Sequence, residues 1–311
     1  MFNYKRGSTL NAKKTISFTK TKTQSLFGKE VQFYSSTPTI LEYEDGYLLN
    51  LRWINYSYHP DGSKKEWPEL ILNLNSRCRL DKHFNRISEE EFLQEDEIKP
   101  LWGSFGLEDI RIFTYEDKYY YTATSHTERE VVAVSSGLYP MDTYVLPLSP
   151  IVPSFYDKPR HEKNWAFVPC QKMTFVYEWY PLQFTEMDHE SGQLNRMTTK
   201  PMPDFFKEAR GSTPGYKKGK EIWFVVHKRR SFFKNNIFCL EYRHGFVIFD
   251  LEMNLVRYSE WFTLGNRPVE FCIGLIVTDT EVILSYSLLD TQSFVSVYDA
   301  NSLRQLKWYL S

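Results

Sequence analysis

Apolar and polar positions alternate with a period of two through most of this chain, and the alternating runs come in pairs. Gly106 to Ser125 reads GLEDIRIFTYEDKYYYTATS. That spacing, with its aromatic and β-branched content, predicts strands over Ile110 to Tyr115 and Tyr119 to Thr124, joined at Glu116-Asp117-Lys118. Four further stretches follow the template: PTILEYEDGYLLNLR from Pro38, NWAFVPCQKMTFVYE from Asn164, TPGYKKGKEIWFVVH from Thr213 and CIGLIVTDTEVILSY from Cys272. Aligned on their turns, they start near Thr37, Asp109, Lys163, Thr213 and Phe271 and end at Arg52, Thr124, Glu178, His227 and Tyr286.

One β unit repeated at wide intervals predicts radial repetition. The expected fold is all-β, a five-bladed β-propeller with a central polar cavity; a large β-sandwich is the alternative. Residues 1–311 read as one such domain, with repeats near 35–80, 105–150, 160–200, 210–262 and 268–308. Residues 1–34 carry Lys5, Arg6, Lys13, Lys14, Lys20, Lys22 and Lys29. They read as a solvated arm or as a strand closing the last sheet, which would hide an edge. Helical periodicity is scarce, and Ser88 to Glu97 is the best candidate for a short helix within an exposed stretch, Asp81 to Pro100. Outer strands of the second unit are expected at Val131 to Val134 and Tyr144 to Leu146.

Composition narrows the function. Lys and Arg number 38 against 39 Asp and Glu, so the formal net charge is -1. This does not suit a nucleic-acid binder driven by charge. No apolar run approaches the ~18 residues of a membrane span, and the start, MFNYKRGSTLNAKK, has no apolar signal core. Cys78, Cys170, Cys239 and Cys272 lack metal spacing and read as buried free thiols, so a cytoplasmic location is expected and no metal site.

The candidate chemistry sits where the units begin and end. Glu108-Asp109 is an acidic pair at a strand mouth, followed by Arg111. Arg52 and Asn55 leave the first unit's strand, and an arginine there could grip a hydroxyl, phosphate or carboxylate. Lys163, Asn164 and Trp165 open the third unit; the indole could stack on a sugar or pack the blade. Arg210 precedes Gly211, Ser212 and Thr213, where backbone could approach an anion. His227 shares the register of Arg52; Lys228 follows it, and Arg229 and Arg230 are expected in a solvated turn. Arg243 and His244 lie just before the strand Phe246 to Leu251. Glu270, Tyr286 and Asp290 complete the set in the fifth unit.

Taken in order, GLEDIR, EKNW, RGSTP with a following VH, and EFCIGL with SYSLLD resemble glycoside hydrolase family 130, the five-bladed β-mannoside phosphorylases, and the related protozoan mannosyltransferase/phosphorylase family. The resemblance covers roughly residues 35–300, and EDIR is its most diagnostic piece. It implies inverting glycosyl transfer on a glycan. The general acid of the family motif falls on Asp109, phosphate contacts on Lys163 and His227, and sugar contacts on Arg52 and Asn55. Ile110 stands where the family has proline, and Thr37 where it often has asparagine. Glu108 is expected to help keep Asp109 protonated, since like charges raise a carboxyl pKa. Arg210, Arg243 and His244 are further candidates for binding phosphate or a sugar phosphate, the possible co-substrate; no cofactor is expected. Partners are expected to be an oligosaccharide, with neither nucleic acid nor membrane, and a homo-oligomer is possible. Three functions compete: phosphorolysis or hydrolysis of a mannoside-like glycan, glycosyl transfer from an activated donor, and glycan binding without catalysis.

Overall fold

A computed structural model describes residues 8–26, 28–65, 67–95, 104–126, 132–147, 149–151, 153, 155, 161–170, 172–188 and 191–311. Lys5 and Arg6 of the basic arm, residues 96–100 of the expected helix-and-loop stretch, and Val131 lie outside them. The fold is all-β, a propeller-like set of antiparallel sheets, and the described strands gather into five sheets.

Sheet one is built on Lys29–Tyr43, Gly46–Ile54 and Ile71–Leu80; sheet two on Glu108–Tyr115, Lys118–His126 and Val132–Leu138. Sheet three runs Ala166–Val168, Thr174–Trp179, Leu182–Met187 and Leu194–Lys200. Sheet four is dominated by the long pair Glu221–Lys234 and Ile237–Asp250, and sheet five by Glu270–Val277, Glu281–Leu288 and Gln292–Asp299. Turns fall where residues tolerate the left-handed region: Glu116 and Asp117 at φ 47° and 56°, Asn235 and Asn236 at 50° and 63°.

The innermost segments of all five sheets face one another. Thr39, Ile112, Phe167, Tyr216 and Ile276, one from each sheet, line a single cavity of about 190 Å³. Its neighbours include Ile40 and Phe113, so this end of the axis is apolar. The polar cluster sits at the other end of the same strands.

Three of those innermost strands carry an irregularity just where they turn polar. In sheet one the register runs Ser35↔Trp53 then Pro38↔Leu51, in sheet two Thr122↔Arg111 then Thr124↔Glu108, and in sheet five Cys272↔Tyr286 then Gly274↔Ser285. Each is an extra residue on the inner strand, a β-bulge, which bends the strand and re-aims its side chains. In sheet four the chain detours instead, between Ala209–Gly211 and Tyr216–Lys218.

The N-terminal segment takes the closing role. Lys14–Ser17 pairs antiparallel with Phe294 to Val297 as the outer strand of sheet five, and Thr21–Leu26 then pairs into sheet one. Phe18, between them, is buried in the core shared by sheets one and five.

Several local expectations are corrected. Within Ser88 to Glu97 the structure has a strand, Glu91–Glu95, paired with Ile71–Leu80. Leu93 turns inward while Phe92 and Gln94 stay exposed, a period of two that sheet pairing imposes over local helix preference. Val145–Leu146 pairs with this strand and so belongs to sheet one, not to the second unit. Lys228 to Arg230 form no turn: the strand continues to Lys234, and Arg243 and His244 lie inside its partner. Cys78, Cys239 and Cys272 are buried, but Cys170 is exposed.

If Phe18 anchors the closing segment, Phe18→Ala should cost about 3–5 kcal/mol. In urea titration the midpoint should fall with the slope unchanged.

Candidate active site

At the polar end of the axis, one hydrogen-bonded network touches all five sheets. Arg52, near the end of a strand in sheet one, is 3% exposed. It donates through Nη1 to Asp109 Oδ1 at 2.8 Å, through Nε to Asn73 Oδ1 at 2.8 Å and through Nη2 to the Tyr56 hydroxyl at 3.3 Å. Tyr56 in turn donates to Asp290 Oδ2 in sheet five at 3.4 Å. Arg111 in sheet two donates to the Asp109 carbonyl at 3.0 Å, to Asn164 Oδ1 beside sheet three at 2.9 Å and to the Ser212 carbonyl in sheet four at 2.7 Å.

Sequence and backbone explain how Asp109 is placed. The bulge in sheet two spans it, and its φ is 59°. Asn164, its opposite number on Arg111, has φ 64°. Both sit in the left-handed region that a non-glycine residue seldom adopts, and Asp and Asn accept it best. The lead-in is clamped from sheet one, where Asn73 Nδ2 donates to the Phe105 carbonyl at 2.9 Å and Asn75 Nδ2 to the Leu107 carbonyl at 3.0 Å. Gly106, at φ +86°, lies against the Asn73 carbonyl so closely that a Cβ would overlap it. Beyond the bulge, Thr39 donates its hydroxyl to the Ile110 carbonyl.

Electrostatics sort the acids. Glu108 pairs with Lys163 at 3.3 Å and stands 4.0 Å from Arg52. It is therefore a partner of cations, not simply a like charge beside Asp109, and Asp109 is ion-paired with Arg52. Asp290 differs. Its carboxyl pKa is pushed up to about 6, first by burial and then by the Asp109 and Glu108 carboxylates, with Arg52 and the Ser287 hydroxyl pulling the other way. Burial also works against charge on Arg52, but Tyr56, Asp109, Glu108 and Asp290 outweigh it and raise its pKa. At Arg111 burial wins and the pKa is lowered.

His227 is enclosed, with its Nδ1 3.0 Å from the Ser212 hydroxyl and Phe271 edge-on to its ring. Burial holds its pKa well below 6.5, and His244 and the Arg111 and Arg210 guanidiniums add to that. It faces the cluster as a neutral ring, not as a cationic phosphate clamp.

Other expected site residues are used by the fold. Trp165 is 2% exposed, donates to Glu162 and packs near Tyr177, so it is blade core with no open stacking face. Asn55 ties Leu70 to Leu72. The Thr213 hydroxyl accepts from the Val225 amide. Glu270 caps the amides of Leu264 and Gly265, and His244 accepts from the Cys272 amide. Tyr286 sits in the core beside Ser296. Arg243 pairs with Glu241 at 2.6 Å. Arg210 is exposed, with Arg229 the charged group that most affects it after burial.

The structure adds four residues without a role in the sequence reading: Asn73, Tyr56, Tyr58 and Tyr242. Burial and then Asp290 raise the pKa of both Tyr58 and Tyr242, which places them around that carboxyl. For Asn73 and Asn75 a signal existed: amides at alternate positions among Ile71, Leu72 and Leu74.

Asn73→Ala should take from buried Arg52 Nε its Asn73 acceptor and remove the amide's bond to the Phe105 carbonyl, and cost about 1–3 kcal/mol, read by denaturant titration. For His227 the depressed native pKa places stability above pH 6.5 that is lost as pH falls, because the unfolded chain takes up the proton first. His227→Gln should flatten the acid side of a stability–pH curve by at most about 1.4 kcal/mol per pH unit.

No protein-family model matches the sequence, and no curated protein does. Solved structures do. A glycosyl hydrolase from Bacteroides ovatus aligns at TM-score 0.62 and 14% identity over 90% of this chain and 89% of its own. A β-1,2-mannobiose phosphorylase from Listeria innocua aligns at 0.58 and 14% over 88% and 93%. A member of the GH130 family of mannoside phosphorylases, reported to contain glycoside hydrolases that target β-1,2 mannosidic linkages in Candida mannan, aligns at 0.61 and 12% over 88% and 87%. The chain shares its fold with these structures, at identities that show the fold alone.

Proposed function

We propose that this chain is a glycan-active enzyme that transfers a mannoside-like glycosyl group, with inversion, to inorganic phosphate or to water. The observation that carries this reading is the pairing of Asp109 with Arg52 inside a network that also presents Arg111, Asn164 and Lys163. Glycosyl transfer needs a proton for the leaving oxygen and a nucleophile on the opposite face of the sugar. Asp109 is the donor, directly or through a sugar hydroxyl that displaces Arg52 from it. Arg111, Asn164 and Lys163 hold the acceptor anion, with neutral His227 behind them and Arg210 at the rim. The buried guanidiniums provide directed donors in a place that excludes water, where charge–charge interactions are strong. With phosphate as nucleophile, no second carboxylate has to attack the sugar.

The test is to incubate the protein with β-linked mannobioses, with and without inorganic phosphate, and to assay mannose and mannose 1-phosphate. Phosphate-dependent mannose 1-phosphate is the expected product of phosphorolysis, free mannose that of hydrolysis. Asp109→Asn should lower turnover by about 100-fold or more. Unchanged turnover would remove Asp109 from the reaction. Consumption of a nucleotide sugar, with no cleavage of mannosides, would replace this reading with synthesis from an activated donor.

A further inference from the structure

Among the described residues the network contains three acids, of which two have a cation in contact. Asp109 is held by Arg52 at 2.8 Å and Glu108 by Lys163 at 3.3 Å. Among the described residues no Lys, Arg or His lies within ion-pair distance of Asp290. Hydroxyls donate to it instead, Tyr56 at 3.4 Å on Oδ2 and Ser287 at 3.3 Å on Oδ1. The charged and titratable groups that face it from the other sheets are Arg52, Tyr56 and Tyr58 from sheet one, Glu108 and Asp109 from sheet two and Tyr242 from sheet four. Asp290 itself lies in the turn between Glu281–Leu288 and Gln292–Asp299, at φ 53°, which aims it back over the network.

We propose that Asp290 is the proton store of this site, the group that carries, before sugar binds, the proton that glycosyl transfer consumes. The inference rests on the glycosyl-transfer reading above and adds to it where the proton comes from. A carboxyl whose native pKa stands near 6, raised by burial and by two neighbouring carboxylates, is about half protonated at pH 6, where an ordinary aspartate is almost fully ionised. Asp109 instead accepts from the Arg52 guanidinium at 2.8 Å.

The transfer balances simply. A sugar hydroxyl lodged between the two carboxyls takes the Asp290 proton and passes its own to Asp109. Asp290 is left as a carboxylate, and Arg52, which already reaches it through Tyr56, is free to turn toward it. Asp109 then gives the proton to the glycosidic oxygen as the carbon–oxygen bond breaks. Attack by water or hydrogen phosphate forms the new bond and releases one proton, which returns to Asp290.

Proton residence can be tested without a substrate. In protein carrying ¹³C-carboxyl aspartate, the signal lost in Asp290→Asn should titrate near pH 6; a midpoint near 4, the ordinary aspartate range, overturns the proposal. Thermal melting gives a second reading. Because the native pKa is raised, the charged form weakens the fold as pH climbs from about 4 through 6. Asp290→Asn should therefore gain melting temperature relative to the parent chain over that range and show no gain at pH 4; a constant difference argues against the store.

Once a substrate is identified, kcat/KM of the parent chain should fall above pH 6. Asp290→Asn should lose kcat by about 100-fold with a smaller change in KM, and Asp290→Glu should recover part of it. Full kcat in Asp290→Asn, beside a dead Asp109→Asn, would overturn the proposal and leave the glycosyl-transfer reading standing. A titration near 6 in a protein that cleaves no glycoside would overturn that reading, and the use of the stored proton with it.

Discussion

A guanidinium buried at the axis is the constraint on which the rest of the site depends. Taking Arg52 out of water costs several kcal/mol unless its charge is matched and its N–H groups are bonded. The chain meets that demand with partners from different sheets: Asn73 and Tyr56 from sheet one and Asp109 from sheet two. Arg111 extends the same logic, linking sheet two to Asn164 and to the Ser212 carbonyl. Each arginine is thus a charged joint between sheets, beside neutral hydrogen bonds such as Thr39 to the Ile110 carbonyl and Asn75 to the Leu107 carbonyl. Loosening one joint leaves a buried charge unpaired, so the geometry is held in one arrangement.

The bulges follow from the same crowding. Innermost strands that converge on an axis cannot all continue their pleat past it. An extra residue at Ser36–Thr37, at Asp109–Ile110 and at Ile273 lets the backbone bend and turns side chains that would flank the strand toward the axis. The bend in sheet two uses Asp109 itself, in a left-handed conformation, so the residue that pairs with Arg52 also shapes the strand that presents it. Gly106 and Asn73 then fix the approach from the other side.

The hairpins were legible because alternation reports which face of a strand is buried, and the turn at Glu116-Asp117 carries its own chemistry. The Glu91–Glu95 strand was not, since a short polar stretch takes its pairing from distant chain, here Asn75 to Arg77. At the site, Arg52, Asp109, Arg111 and Lys163 could be picked out as charges at strand ends. Trp165, Tyr286 and Glu270 looked equally exposed to chemistry in the sequence, yet their polar atoms are taken by Glu162, by Ser296 and by the backbone of 264–265. Sequence shows where a polar group stands along a strand but not whether the fold has already used it. The pairing of Asp109 with Arg52, and the lack of a cation beside Asp290 among the described residues, are relations between sheets and have no local signature.

Charge balance joins these features. Among the described residues of the network, Arg52, Arg111 and Lys163 face two acids with cation partners, Glu108 and Asp109, while His227 is held neutral by burial. With a proton on Asp290 the cluster keeps one positive charge in excess; without it, the cluster is balanced. An anion entering beside Arg111 and Lys163 therefore meets its most favourable field when Asp290 is protonated, and its own charge makes loss of that proton harder. Anion and proton thus favour each other's presence. In the glycosyl transfer proposed above, that coupling would assemble proton and anion together before the glycosidic bond is strained.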